Sequence, residues 1–206
     1  MTAVHYMLDL ETYGIGHDAA IKSIAVVRFE IGVLWTEGQV KDVLDRVAVP
    51  THINVCDPSA PAFHAKVNLV DSKRPGTLDA STVEWWLRQS DEARSRLLEG
   101  PEVVLDHALT NLWHWLANPN RQAQLWSRSP TFDEHLLRNA WARCGPSWVF
   151  PFSHKNSRDC RTWEEAARAT GTSVTPLAYN LVGHDALHDA IKQVLAVQAQ
   201  YRVLVR

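Results

Sequence analysis

Asp9 and Glu11 stand two residues apart in His5–Glu11, HYMLDLE, where an extended backbone puts them on one face with Met7 and turns Tyr6, Leu8 and Leu10 to the other. Two carboxylates on an otherwise apolar strand repel one another and resist burial, so a cation belongs beside them. Oxygen donors of this kind suit a hard divalent ion such as Mg²⁺ or Mn²⁺. An isolated DxE is equally explained as a solvated face at a sheet edge. A second group is GHDALHDA, residues 183–190, where a loop enters the last helix with His184 at or before its first turn and Asp189 within it. Near a helix N-terminus an aspartate is favoured and an imidazole tends to stay neutral, ready to accept a proton. Plain helix capping, with Asp185 and His188 solvated, accounts for the same residues. The third candidate is Asp133 in SPTFDEHLL, in the first turn of a helix soon after the apolar run Gln124–Ser127. Open α/β sheets gather their sites there, beyond the carboxyl ends of strands. Thr131 reads as that helix's cap, and Glu134 as a carboxylate of the same turn pointing elsewhere.

The elements that position these residues follow from periodicity. After the first strand, two glycines break the chain between Thr12 and Asp18, and Ile21–Ile31 reads as a second strand. Arg46–Val55 is the expected third, placed at an edge by Pro50, and the three make an antiparallel meander. Cys56–Ala80 reads as a long loop. A capping box of Ser81 and Glu84 opens a helix that runs to Gly100, and Pro101 restarts one that ends at Asn118 and Pro119. A strand at Gln124–Ser127, a helix from Thr131 to Arg143 and a strand at Ser147–Phe152 suggest a right-handed crossover. Short and long helices close the chain at Arg161–Thr170 and from Asp185 to about Tyr201. The expectation is one α/β domain over 1–206, with a central mixed five-stranded sheet flanked by helices.

Composition sets limits on what this domain does. A chain of 206 residues that is 46% hydrophobic and 21% charged can bury a real core, which excludes disorder. No run approaches the roughly 20 apolar residues of a membrane helix, and Met1–Leu10 carries charge where a secretion signal would be greasy. Three cysteines without a CxxC pair offer neither a disulfide set nor a zinc knuckle, so a reducing cytoplasm is expected. A net charge of -2 excludes coating of nucleic acid by bulk charge and leaves local binding where metal ions cancel carboxylates.

Taken together, MLDLETYG, TFDEHLL and HDALHDA resemble the three exonuclease motifs of the DEDDh branch of the RNase H-like superfamily, which includes RNase T and the proofreading subunits of replicative polymerases. The resemblance spans residues 4 to about 200. EWWLRQSDEAR and RDCRT bring it nearest the compact bacterial and phage RNase T-like group. It implies an RNase H-like fold and makes Asp9, Glu11, Asp133 and Asp189 the metal-binding carboxylates, with His184 as general base. Two Mg²⁺ or Mn²⁺ ions about 3.5–4 Å apart would then activate water and neutralise the leaving oxygen. The implied reaction is 3′-5′ release of nucleoside 5′-monophosphates from single-stranded RNA or DNA ends. Relatives hold the terminal nucleotide just after the first motif, which points to Leu10, Thr12 and Tyr13. Trp86, Trp126 and Phe132 are candidates for base stacking, and Arg158, Arg161 and Lys155 for phosphate contacts. Many relatives pair as homodimers, and Trp85 with Trp86 would fit such an interface.

Three rivals deserve tests. Gly14, Gly16 and Ala19 spell the dinucleotide fingerprint GxGxxA, yet a strand at Ile21–Ile31 leaves no room for its crossover helix. His184 and His188 imitate the HExxH of zinc peptidases, with Asp185 one methylene short of the required base and no third ligand evident. A nucleic-acid-binding module on the same fold, catalytically weak, is the remaining alternative.

Overall fold

The computed structural model describes residues 4–53, 56–117 and 122–205. Strand alternation organises it into two layers around one sheet. β1 (His5–Thr12) sends Tyr6, Leu8 and Leu10 into one apolar layer and Met7 into the other, on the face it shares with Asp9 and Glu11. β2 (Ile21–Phe29) runs antiparallel to it, with Ala25 opposite Asp9 and Ser23 opposite Glu11. β3 (Ala62–Val67) continues the meander, placing His64 opposite Ala25 and Lys66 opposite Ser23. Three short parallel strands complete the sheet: β4 (Glu102–Val103) beside β3 on one side, and β5 (Gln124–Ser127) then β6 (Ser157–Asp159) beside β1 on the other. The order is β4-β3-β2-β1-β5-β6.

Helices cover both faces. α4 (Leu105–Trp115) and α5 (Asp133–Cys144) close over Leu8, Ile24 and Phe63. On the other face α1 (Glu37–Asp45), the start of α6 (Cys160–Ala169) and above all α7 (Ala186–Leu204) pack on Met7, Ala25, Val27 and Trp126. α7 therefore lies across the face that carries Asp9 and Glu11. Among the described residues no helix is long and apolar enough to cross a membrane.

Several expectations need correction. The third strand is β3, not Arg46–Val55, and the sheet has six strands rather than five. Residues before the expected strand form α1, fixed by a Thr36–Gln39 capping box, and Ala48 alone bridges to Phe63. Ala62, Phe63, Ala65 and Val67 are all buried, whereas Val49, Thr51, His52 and Ile53 face solvent, so the stronger apolar strip takes the sheet position. Val55 lies outside the described residues. The long loop expected over Cys56–Ala80 thus contains β3. The helix expected from Ser81 to Gly100 is two, α2 (Ala80–Leu87) and α3 (Asp91–Leu98), because Asp79 accepts from the Ser81 and Thr82 amides and Ser90 starts a second cap. Pro101 leads into β4 before α4 begins, and α4 ends at Trp115, with Asn118 and Pro119 outside the described residues. Ser147–Phe152 pairs with no strand: Phe150 and Phe152 pack edge-on against Trp141 and Tyr6, and that aromatic burial replaces a ladder. The α5 N-cap position is Phe132 rather than Thr131. The antiparallel β1–β2 pairing confirms that Gly14 and Gly16 serve a hairpin connection and not a dinucleotide turn.

That connection is clasped by the chain just before α2. Ala20 N–H donates to Thr77 O (2.8 Å), Thr77 N–H to Asp18 O (2.9 Å) and Asp79 N–H to Tyr13 O (2.7 Å). Gly76 makes the clasp with φ +103°, and a Cβ there would stand 2.5 Å from Asp18 O. Gly76→Ala is expected to destabilise the protein by at least about 1–2 kcal/mol, the cost of left-handed backbone alone. Urea unfolding measures it, and a wild-type midpoint would contradict the clasp.

Candidate active site

β1 and β5 pair only as far as Met7 opposite Trp126. Beyond that point the strands part, and the first turn of α5 brings Asp133 to the gap, where the backbone of Leu10 hydrogen-bonds its carboxylate. α7 supplies the opposite wall. Asp185 caps it by accepting from His188 N–H (3.0 Å), which sets the first turn and carries Asp189 over β1. Glu11, His184 and Asp189 offer ligand atoms within 4.8 Å of one another, a group able to hold a metal ion. Asp9 adjoins it, close enough that Asp133, Glu11 and Asp189 all act on its charge.

The electrostatics are those of crowded anions. Burial, and then the charges of Asp189, Asp185 and Asp133, push the Glu11 carboxyl up to about 8. Burial raises Asp133 to about 7 against the pull of backbone hydrogen bonds from Leu10, Ser129 and Asp133 itself. Asp9 is driven well above the carboxylate range by burial and its acidic neighbours, opposed by the hydrogen bond from Gln193 Nε2 (2.6 Å). A cation built into the group is Lys192, whose Nζ donates to Asp189 Oδ1 (2.9 Å) and Val182 O (3.1 Å).

His184 sits in the left-handed region at φ +59°, its N–H donating to Asp189 Oδ2 (2.8 Å) and its ring edge-on to Trp85, with centroids 4.8 Å apart. A side chain other than glycine holds such a backbone only when its surroundings enforce it. His188 is directed elsewhere: its Nδ1 accepts from Val182 N–H (2.9 Å), and it is not part of the metal-capable group. The two imidazoles do not converge, which removes the zinc-peptidase pairing.

The remaining expectations divide. Leu10, Thr12, Trp86 and Phe132 line one groove of about 440 Å³ beside Glu11, together with Trp85. Trp86 is only 4% exposed and its Nε1 donates to Thr12 O (2.9 Å), locking α2 to the end of β1; the ring offered to solvent is Trp85, at 42%. Trp86 is accordingly closed to a partner chain. Tyr13 is not among the groove residues and uses its backbone for the hairpin and the clasp. Trp126 is core, donating to His5 Nδ1 (2.9 Å), so it stacks on no base. Arg158 acts on His5 at the far end of the β1 face, and Lys155 is exposed on a single 3₁₀ turn. Arg161 lies near enough to Asp133 for its charge to be felt there. Glu134 points away and pairs with Arg138 (2.6 Å). Sequence reasoning missed Trp85 as a site residue, and also Lys192 and Gln193, although both follow Asp189 at the i+3 and i+4 spacing that shares one helix face.

Known proteins resemble this chain in sequence and in fold. Residues 4–201 match the family described as the 3′-5′ exoribonuclease Rv2179c-like domain. A curated exodeoxyribonuclease of Enterobacteria phage T4 is 26% identical over 217 residues, covering 96% of this chain and 88% of its own. Among solved structures, a zinc-bound exonuclease I–ssDNA complex of E. coli aligns with TM-score 0.55 and 15% identity over 99% of this chain. Exonuclease I of Methylocaldum szegediense aligns with TM-score 0.58 and 13% identity over 97%. This chain spans 40% of the length of each of those two structures, and they share its fold.

Without metal, the raised carboxyls make stability fall with pH. Glu11 binds a proton in the folded state up to about 8 but releases it near 4.5 when unfolded, so the native state holds more protons between those values and loses stability across them as pH rises. The thermal midpoint of metal-free protein is expected to drop from pH 5 to pH 8, with a flatter profile in Glu11→Gln. Differential scanning calorimetry decides it, and a midpoint that climbs over this window would contradict the carboxylate crowding.

Proposed function

The chain belongs to the Rv2179c-like 3′-5′ exoribonuclease domain family and is a 3′-5′ exonuclease, and from this premise we propose that Asp9, Glu11, Asp133 and Asp189 gather two Mg²⁺ or Mn²⁺ ions at a nucleic-acid 3′ end, with His184 as general base. The observation that carries the assignment is the convergence of the four carboxylates on the gap beside β1, where Lys192 and the charge of Arg161 offset them only in part. Carboxylates so close keep protons unless cations of high charge offset their repulsion, and the oxygen-rich donor set suits hard ions. When bound, such ions polarise the phosphoryl group, lower the pKa of a water and neutralise a leaving oxygen.

The chain's own residues do the rest. Gln193 holds Asp9 in orientation through Nε2, and Lys192 steers Asp189. The Trp85 ring and the Asp189–His184 backbone bond fix His184 at the rim of the carboxylate group, where its imidazole can take the proton of the attacking water. Thr12, Trp85 and Phe132 enclose the groove that receives the terminal nucleoside. Water attack on the last phosphodiester breaks the bond to the 3′ oxygen of the penultimate residue and leaves a nucleoside 5′-monophosphate. The family description supports RNA as the substrate, while the phage relative's name supports a DNA strand as the second reading.

Labelled RNA and DNA oligonucleotides, with Mg²⁺, Mn²⁺ or EDTA, test the proposal and choose between substrates. His184→Ala is expected to lower the rate by about a hundred- to ten-thousandfold. Asp9→Asn should abolish release while leaving the metal-free thermal midpoint equal or higher, since one repelling carboxylate is gone. Wild-type protein that binds strands and releases nothing with either metal would instead support the binding module.

A further inference from the structure

On the far side of the His184–Asp185 step from the metal-capable group lies a hollow of about 400 Å³, walled by β3, α3 and the first turn of α7. Its polar lining is His64, Lys66, Arg96, Asn180, Asp185 and His188. Most of these groups present donors. Val182 N–H bonds His188 Nδ1, so the ring's hydrogen resides on Nε2. Arg96 is exposed and makes no hydrogen bond or salt bridge among the described residues, yet its charge acts on both His64 and Lys66. Lys66 donates to Glu99 O, which tethers its stem and leaves two further N–H groups on the ammonium. His64 shares a hydrogen bond with Ser23 Oγ (2.8 Å), and burial holds the ring neutral. The single acid, Asp185, already accepts from His188 N–H. Two fixed positive charges against one negative leave a net of one positive, surrounded by N–H donors. A phosphodiester carries one negative charge and accepts only.

Register ties the hollow to the reaction. Lys66 faces Ser23 and Ser23 faces Glu11 across adjacent strands, so the hollow begins two strand spacings, about 10 Å, from the metal-capable carboxylates on the same face of the sheet. His184 turns to one side of the α7 start, while Asp185 and His188 line the other. We propose that Arg96, Lys66 and His188 form a subsite for an internal phosphate of the bound strand, upstream of the linkage being cut. This rests on the exonuclease reading. It also supplies a grip on the strand that a net charge of -2 does not.

The test measures affinity and cleavage separately in the full chain. A labelled single strand with a cleavage-resistant phosphorothioate 3′ linkage is titrated by anisotropy in Mg²⁺ over a salt series, beside a hydrolysis assay on the ordinary strand. Loss of one single-strand phosphate contact lowers the log K against log salt slope by about 0.7, which at 0.1 M salt weakens binding about fivefold. Arg96→Ala and Lys66→Gln should each show that change, Arg96→Lys should recover most of it, and Arg202→Ala, at the other end of α7, should keep the wild-type slope. Wild-type cleavage combined with unchanged affinity and slope in both hollow variants would overturn the subsite alone. Absence of cleavage by wild type on any strand would overturn the exonuclease roles and the subsite with them. Should Arg96→Ala relieve inhibition by a nucleoside 5′-monophosphate without altering strand affinity, the hollow holds released product and the strand assignment fails.

Discussion

Mutual repulsion among Asp9, Glu11, Asp133 and Asp189 is the constraint around which this fold is arranged. The four carboxylates arrive from three elements, and each is held by something that resists its withdrawal: the alternation of β1 for the first two, the Leu10 backbone for Asp133, the Asp185 cap for Asp189. The apolar layers beneath them are ordinary close packing. Leu8, Ile24 and Phe63 on one face and Met7, Val27 and Ile191 on the other supply the stability that offsets a cluster of like charges at the sheet's centre.

The parting of β1 from β5 is what makes room for this. Continued pairing past Met7 and Trp126 would satisfy the Leu10 backbone within the sheet and close the gap. The site therefore depends on a short β5. A four-residue strand that stops at Ser127 lets the chain turn back through Thr131 and deliver a helix start to the opening, in keeping with the rule that sites collect beyond strand ends.

The parts of the structure governed by short periods were legible in the sequence, and those governed by long-range choice were not. Asp9 and Glu11 declare a common face through a period of two, and Asp185 and Asp189 place themselves through helix-start chemistry; these needed no tertiary information. Arg46–Val55 and Ala62–Val67 are both short apolar runs, and only competition for the edge of β2 selects the latter. Ser147–Phe152 looks like a strand because its aromatics are apolar, and nothing local says they will pack on Trp141 and Tyr6 instead. The Trp85–Trp86 pair shows the same boundary. Adjacent identical side chains on a helix diverge by about 100°, and which one is enclosed depends on where Thr12 O lies. Lys192 and Gln193 were within reach, being one turn beyond Asp189, but lysine and glutamine in a long helix carry no signal of chemistry by themselves.

The backbone at His184 carries a different kind of consequence. Its φ of +59° favours glycine or asparagine, while the proposed role of general base calls for an imidazole, so on that proposal folding and chemistry pull this position in opposite directions. Under relaxed selection the drift of least resistance is toward a residue that relieves the strain and silences the reaction, leaving the groove and the carboxylates in place. Lineages descended from such a chain would be expected to turn up as inert, somewhat more heat-tolerant relatives that differ at this position first.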